Sequence, residues 1–228
     1  MSIDPTKERL LEAAGEEFAA KGFDGATIRS ISRRAGANVA AINYHFGDKE
    51  RLYEAVLIRA HHCSDRPPSA EGTDPVVGLR EYIRNFLGGL LDRRDEASWT
   101  NALIAREMVQ PTVAVDTLVR EAIRPRFDHL VGLIRRLRPG SADPQVHAIA
   151  FSVVGQILHY KVARPISTRL IGDAAYDRFD LEFLTEHIAA FSLAAILGYD
   201  RARSVTTTDA PSGVTSHERG ESGCTGSP

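Results

Sequence analysis

Cysteine is scarce: Cys63 and Cys224 stand far apart, the second in a stretch too polar to build a core. That excludes a disulfide framework and fits a reducing compartment. Cys63 follows His61 and His62, but this spacing matches no standard zinc pattern, so no metal is expected. Long apolar runs are missing too. None approaches the roughly 18 uncharged residues of a membrane span, and the acidic, amphipathic start MSIDPTKERLLEAAGEEF is unlike a secretory signal. The expectation is a cytoplasmic protein with no membrane partner. Strand patterning is absent, with no sustained apolar–polar alternation anywhere. Also missing are a nucleophile elbow, a glycine-rich phosphate loop after a strand, and paired histidines on a helix, so the chain is not expected to be an enzyme or to need a cofactor. An enzyme of unknown type is the remote alternative.

What the chain does have is helical periodicity. Asp4 and Pro5 open a first helix with Leu10, Leu11, Ala14 and Phe18 on one face, and Gly22 is a candidate end. Thr27 opens a shorter helix with Ile28, Ile31 and Ala35 inward, and Gly36 ends it. Asn38 caps a third, carrying Val39, Ile42 and Phe46; Gly47 breaks it and Asp48 caps a fourth. Residues 64–75 hold three prolines and a glycine and read as a linker. Longer helices follow over about 75–91, 96–109, 112–137 (kinked or divided by Pro125), 143–164 and 180–197, the last ended by Gly198. From about Arg201 onward Ser, Thr, Gly, Pro and charge dominate, the composition of a disordered tail. The domain reading is therefore 1–63, linker 64–75, 76–200 and tail 201–228.

The formal net charge is −2, yet five basic residues stand against two acids between Ala26 and Arg51, a local balance of +3. Such a patch suits phosphate contact. The acidity of the whole argues against a sequence-neutral DNA-packaging protein. Within the patch, TIRSISRRAGANVAAINYHFGDKERLY reads as two short helices around a Gly36-Ala37-Asn38 turn. Ala40 and Ala41 on the outer face of the second helix would let its backbone approach a groove floor, and Asn43 can bond an adenine edge. Tyr44 and His45 close the helix, although Tyr44 packing inward is a second reading. Lys49 begins the next helix, where phosphate can be held. Arg33 and Arg34 face solvent or pair with acids, and Glu16-Glu17 looks like solvated surface.

This segment resembles the DNA-binding domain of the TetR family of regulators, with AAINYHFGDKERLY matching its aromatic-rich recognition helix and lysine-bearing turn. With LIAREMVQPTVAVDTLVREAIRPRF and FSVVGQILHYKVARPI, the chain resembles the CecR-like branch. The resemblance implies an all-α protein: an N-terminal three-helix helix-turn-helix domain plus a C-terminal helical regulatory and dimerisation domain. It implies DNA contact by Thr27, Arg29, Asn38, Val39, Ala40, Ala41, Asn43, Tyr44, His45 and Lys49. Asn43 stands where the family commonly has tyrosine, so an operator sequence does not carry over. The implied partners are double-stranded operator DNA, a second copy of the chain and a small-molecule effector. A transcriptional activator, or a regulator without a small ligand, is the alternative to a ligand-released repressor.

In the C-terminal half, the helices over 144–164 and 180–197 are apolar on more than one side and are expected to pair with their symmetry mates. Polar groups among apolar helices suggest an effector site from Trp99, Arg106 and Met108 on one helix and Gln156, His159 and Tyr160 on another. Arg106 and Glu107 could instead be a structural pair, and His159 and Tyr160 interface residues. Effector binding is expected to move the helix near Leu79–Leu91 against that from Glu50 to His61, changing the separation of the recognition helices.

Overall fold

The helices follow from local signals that the side chains satisfy. In the computed structural model, which describes residues 4–62, 72, 74–91 and 99–207, helix α1 spans Pro5–Gly25, with the Asp4 carboxylate accepting from the Thr6 amide at 2.9 Å. Gly22 lies at φ 74°, so the chain turns there before the helix is formally over. Helix α2 (Ile28–Ala35) starts in a reciprocal cap in which Thr27 and Ser30 each bond the other's amide. It stops at Gly36, whose φ of 60° is left-handed and costs a residue without Cβ nothing. Helix α3 (Val39–Phe46) is capped by Asn38, and α4 (Lys49–His62) by Asp48, which accepts from the Arg51 amide at 2.8 Å.

These four helices close over Leu10, Ala14 and Phe18 of α1, Ile31 of α2, Ile42 and Phe46 of α3, and Leu52, Tyr53 and Leu57 of α4. The same apolar cluster continues into Leu103 of α6 (Trp99–Val109), Leu118 at the end of α7 (Val115–Leu118), and Ala122 of the π-helical turn Val119–Ile123. The π turn sits just before α8 (Arg124–Leu137), where Pro125 can donate no amide hydrogen bond to the preceding turn. The expected division of 112–137 takes this form.

A second core lies among α5 (Pro75–Leu91), α8 and α9 (Asp143–Val162), with Leu79, Ile83, Leu130, Ile134, Ala150 and Val153 buried. Two short helices, α10 (Arg164–Ile171) and α11 (Asp173–Tyr176), follow; neither is in the sequence reading. The final helix, α12, runs Leu181–Thr207, so Gly198 lies inside it and the backbone stays helical beyond Arg201. A lone glycine lowers helix propensity by about 1 kcal/mol, which does not stop a long helix. By its internal contacts the chain divides into residues 1–197 and 198–228. Cys63, Cys224, most of the expected linker, the expected helix start at Glu96 and the tail beyond Thr207 lie outside the described residues.

The described residues contain no strand, and the fold is all-α, with its N-terminal helices in the helix-turn-helix arrangement. One expectation is corrected. The stretch Leu181–Tyr199 does have the length and mean hydropathy, 1.4, of a membrane span. Two of its residues, Glu182 and Glu186, form ion pairs with Arg84 and Arg80 of α5, and Leu184, Ile188 and Ile196 are buried in the protein's own core. Those charges would be costly in lipid, and 33% of the apolar window is buried inside the protein.

Candidate nucleic-acid interface

Helix α3 is held from behind and open in front. Ile42 and Phe46 are buried, while Val39, Ala40, Asn43 and Tyr44 face outward, Tyr44 with 84% of its surface exposed. Tyr44 therefore does not pack inward. Thr27, Arg29, Arg33 and Asn38 are exposed beside this face, and neither Arg29 nor Arg33 has an ion-pair partner among the described residues. Asn38 spends its side-chain oxygen on the Ala40 amide at 3.0 Å, which fixes the start of α3. Three residues of the expected face are less open. Ala41 is half-buried against the core rather than outward. His45 is half-buried, its Nε2 3.6 Å from the Asp4 carboxylate and its ring against Tyr44 and Phe46. Lys49 lays its ammonium 4.5 Å from the centre of the Phe23 ring.

Electrostatics behind the face are organised by Glu17. Far from being solvated, it is buried, and it accepts from Lys21 at 2.7 Å and Arg34 at 2.9 Å. The Lys21 ammonium, with Arg34 second among the hydrogen-bond donors, holds its carboxyl down at about 2 against an ordinary 4.5. Arg34 also reaches Glu16, so it joins α2 to α1 and is not available to DNA. Because the folded-state value is depressed, this contribution to stability is complete above pH 4.5 and is lost as pH falls through about 2. Glu17→Gln is expected to flatten the acid limb of a urea-midpoint profile over that window. An unchanged limb would assign the acid sensitivity to other groups.

Helix α6 straps the helix-turn-helix to the rest. The Trp99 indole lies flat over Gly15, where an added Cβ would come within 2.3 Å of the ring, and its N–H donates to Glu12 at 2.7 Å. Nearly two turns along, the Arg106 guanidinium covers Gly22 and reaches the Ala19 carbonyl at 3.4 Å. Glu107 turns the other way, into the interior. It accepts from the Tyr53 hydroxyl at 2.8 Å and from the Thr112 amide at 2.8 Å. Arg106 and Glu107 are thus not a pair. Burial and the adjacent Glu107 carboxylate push the Tyr53 phenol above its ordinary value, so it remains a donor. Gly15→Ala is expected to displace the indole and destabilise the fold by about 1–3 kcal/mol, read as a lower thermal midpoint and a shifted Trp99 emission. A midpoint and emission identical to the parent would disprove the strap.

The expected effector group does not assemble. Trp99 and Arg106 face α1, and Met108 is largely exposed, whereas Gln156 bonds the Ser152 carbonyl and Tyr160 packs edge-on against Phe179, with His159 exposed beside it. Helix α6 packs on α1 and α4, but α9 packs on α5, α8 and α10, so the two sets have different neighbours. The expected coupling of α5 to α4 is corrected likewise. Helix α4 packs on α6, α7 and the π turn, which carry Leu103, Leu118 and Ala122 into its core, and Thr117 bonds Glu54 at 3.0 Å.

Comparison with known proteins decides the class. The family model described as "HTH-type transcriptional dual regulator CecR, C-terminal domain" matches residues 75–196, more than half of the chain. The chain belongs to this family. Its N-terminal region matches the "Bacterial regulatory proteins, tetR family" model over residues 10–56, the segment that forms α1 to α4. The CecR dual regulator of Shigella flexneri is 28% identical over 200 residues, covering 81% of this chain and 88% of that protein. The repressor AcnR of Corynebacterium glutamicum is 41% identical over 96 residues, 41% of this chain and 45% of that one. Among solved structures, the hemolysin II regulator HlyIIR aligns with a TM-score of 0.57 at 21% identity, covering 81% of this chain and 95% of that chain. AibR, solved with isovaleryl coenzyme A and operator DNA, aligns at 0.53 and 19% identity, covering 83% and 96%. This CecR-family chain is a TetR-type DNA-binding transcriptional regulator.

Proposed function

We propose that the protein binds a palindromic operator as a homodimer, with α3 in the major groove, and that a small molecule bound in the C-terminal region releases it. The observation that carries this reading is the outward face of α3. Val39, Ala40, Asn43 and Tyr44 stand exposed on a helix whose other side is fixed by Ile42 and Phe46. Asn43 would read a base edge, Tyr44 and Thr27 would hold backbone, and Arg29 would neutralise phosphate. His45 and Lys49 would then orient the helix from behind more than touch bases, and Asn38 would act through its cap. The residue division 1–63, 64–75 and 76 onward is part of the same proposal, with α12 carrying the second domain past the expected boundary at 200 to Thr207, as is a cytoplasmic location, where chromosomal DNA is available.

The second copy is supported by apolar surface. On α9 and α12, Phe151, Phe183, Phe191 and Leu197 are each at least half exposed, and such faces are rarely left open to water. Gly155 lies mid-helix on the exposed side of α9, and a Cβ there would meet nothing in its own chain. A partner helix could approach closely at that point. Replacing both Phe151 and Phe191 by glutamate is expected to convert a dimer to monomer in sedimentation and to weaken operator binding with it. A variant that sediments as the parent does would move the interface elsewhere.

Release by a ligand requires tighter ligand binding to the DNA-free state, with a coupling of about 1–3 kcal/mol. The route supported by packing runs through α6, α7 and the π turn to α4. Repression is the favoured outcome; AcnR is named a repressor and CecR a dual regulator, so activation from a different promoter position is the second reading. Selection from random duplex DNA tests the whole. A recovered palindrome with half-sites about one helical turn apart supports the proposal, and recovery of no consensus removes it.

A further inference from the structure

The glutamates of α1 sort the cations of the helix-turn-helix into tied and untied. Glu8 and Glu12 pair with Arg59 of α4, and Glu16 and Glu17 pair with Arg34 of α2. Lys21 joins Glu17 at 2.7 Å, and Arg51 lies 3.8 Å from Asp48. Every glutamate of α1 is thereby engaged. Arg29 and Arg33 of α2 are left over: both are exposed, and neither guanidinium has a partner among the described residues. Asp24, the acid nearest to them in the chain, pairs with neither.

The untied pair has a direction. Arg29 and Arg33 are four residues apart and share one face of α2. Ile31, Ser32 and Ala35 are buried and fix the inner side, while Arg34, one position beyond Arg33, is turned toward α1 by its two glutamates. The row of Arg29 and Arg33 therefore points away from both α1 and the core. Arg33 stands in the last turn of α2, where its carbonyl accepts from the Gly36 amide at 3.3 Å. There the chain bends into α3, whose first residues Val39 and Ala40 are exposed. Two guanidinium groups without a counter-charge thus run along α2 toward the corner from which α3 presents its outward face.

We propose that Arg33 is a DNA-backbone contact of this regulator, forming with Arg29 a two-cation row on α2 that neutralises operator phosphates. The group recognised is the phosphodiester oxygen and not a base edge, so the contact positions α3 without reading sequence. Arg34 cannot share the task, because its donors are held by Glu16 and Glu17. A cation in the last turn also suits the dipole of α2, but that role alters the thermal midpoint and leaves the salt dependence of DNA binding unmoved. The inference rests on the reading of α3 as the helix that enters the groove.

Fluorescence anisotropy of the full-length protein on the selected operator and on a scrambled duplex, over a series of salt concentrations, tests it. For Arg33→Gln the slope of log affinity against log salt is expected to fall by about one for each bound chain, with both duplexes weakened by roughly 5- to 10-fold per chain at about 0.1 M salt. Arg33→Lys keeps the charge and is expected to retain the parent slope. Arg178, exposed after α11 and likewise without a partner among the described residues, is the control. Arg178→Gln removes the same charge outside the helix-turn-helix and leaves slope and affinity at the parent values. A parent slope in Arg33→Gln, a loss confined to the operator, or an equal loss in Arg178→Gln would overturn the proposal. The parent protein separates this inference from the reading it rests on. Operator preference in the parent, with Arg33→Gln indistinguishable from it, removes the Arg33 contact alone. A parent without operator preference removes the reading of α3, and Arg33 is then judged by the salt slope on scrambled duplex.

Discussion

Asn43→Ala is expected to weaken binding to the selected operator by roughly 10- to 100-fold, with binding to scrambled duplex almost unchanged. The side chain is exposed on α3, so its removal costs the isolated protein little. Its amide offers one donor and one acceptor, the pair that an adenine edge matches. Loss of both contacts falls on specific binding alone, because scrambled DNA is held by phosphate contacts. Arg29→Ala makes the opposite pattern: both duplexes weaken together, and the salt slope falls by about one. Fluorescence anisotropy at two salt concentrations separates these outcomes. Equal losses on both duplexes for Asn43→Ala would mean that this residue does not read bases.

Glu107→Ala is expected to destabilise the protein by about 2–5 kcal/mol, because it strands three donors, the Thr112 hydroxyl among them. The Tyr53 hydroxyl and the Thr112 amide both end on this carboxylate, which is only 2% exposed, so water does not replace it. For a chain of this size the thermal midpoint should fall by roughly 5–15 °C. Glu107→Gln keeps an acceptor and should cost less. Tyr53→Phe combined with Glu107→Ala should cost less than the sum, since the phenol is then no longer stranded. Strict additivity would show that the two residues are not coupled, and the link from α6 to α4 would then rest on apolar packing alone.

The features legible in the sequence were those written over a few residues. Thr27, Gly36, Asn38 and Asp48 delimit α2, α3 and α4 as expected because each acts within a few residues of itself; the part Ser30 plays in the first cap was not read from the sequence. Ala40 and Asn43 on the exposed face of α3 followed from the local helical reading, whereas the outward place of Val39 was implied by the family resemblance, and Ala41 shows that one position at the edge of a stripe can fall on either side. The misreadings depend on distant partners. Trp99 looked like a ligand contact, but its partner is the bare backbone at Gly15, 84 positions away in the chain. Glu17 looked solvated because neither Lys21 nor Arg34 announces that it folds over the carboxylate. Gly198 was read as a stop, yet a single glycine is weak punctuation in a helix of 27 residues.

The most direct test of the central claim is a salt-controlled titration of purified protein into two labelled duplexes. One carries the DNA upstream of its own gene, and the other is a scrambled sequence of the same length. The account predicts a preference of about 1,000-fold or more, carried by a palindrome and lost in Asn43→Ala. Equal, weak binding to both duplexes, repeated with sequences drawn from random DNA, would contradict it.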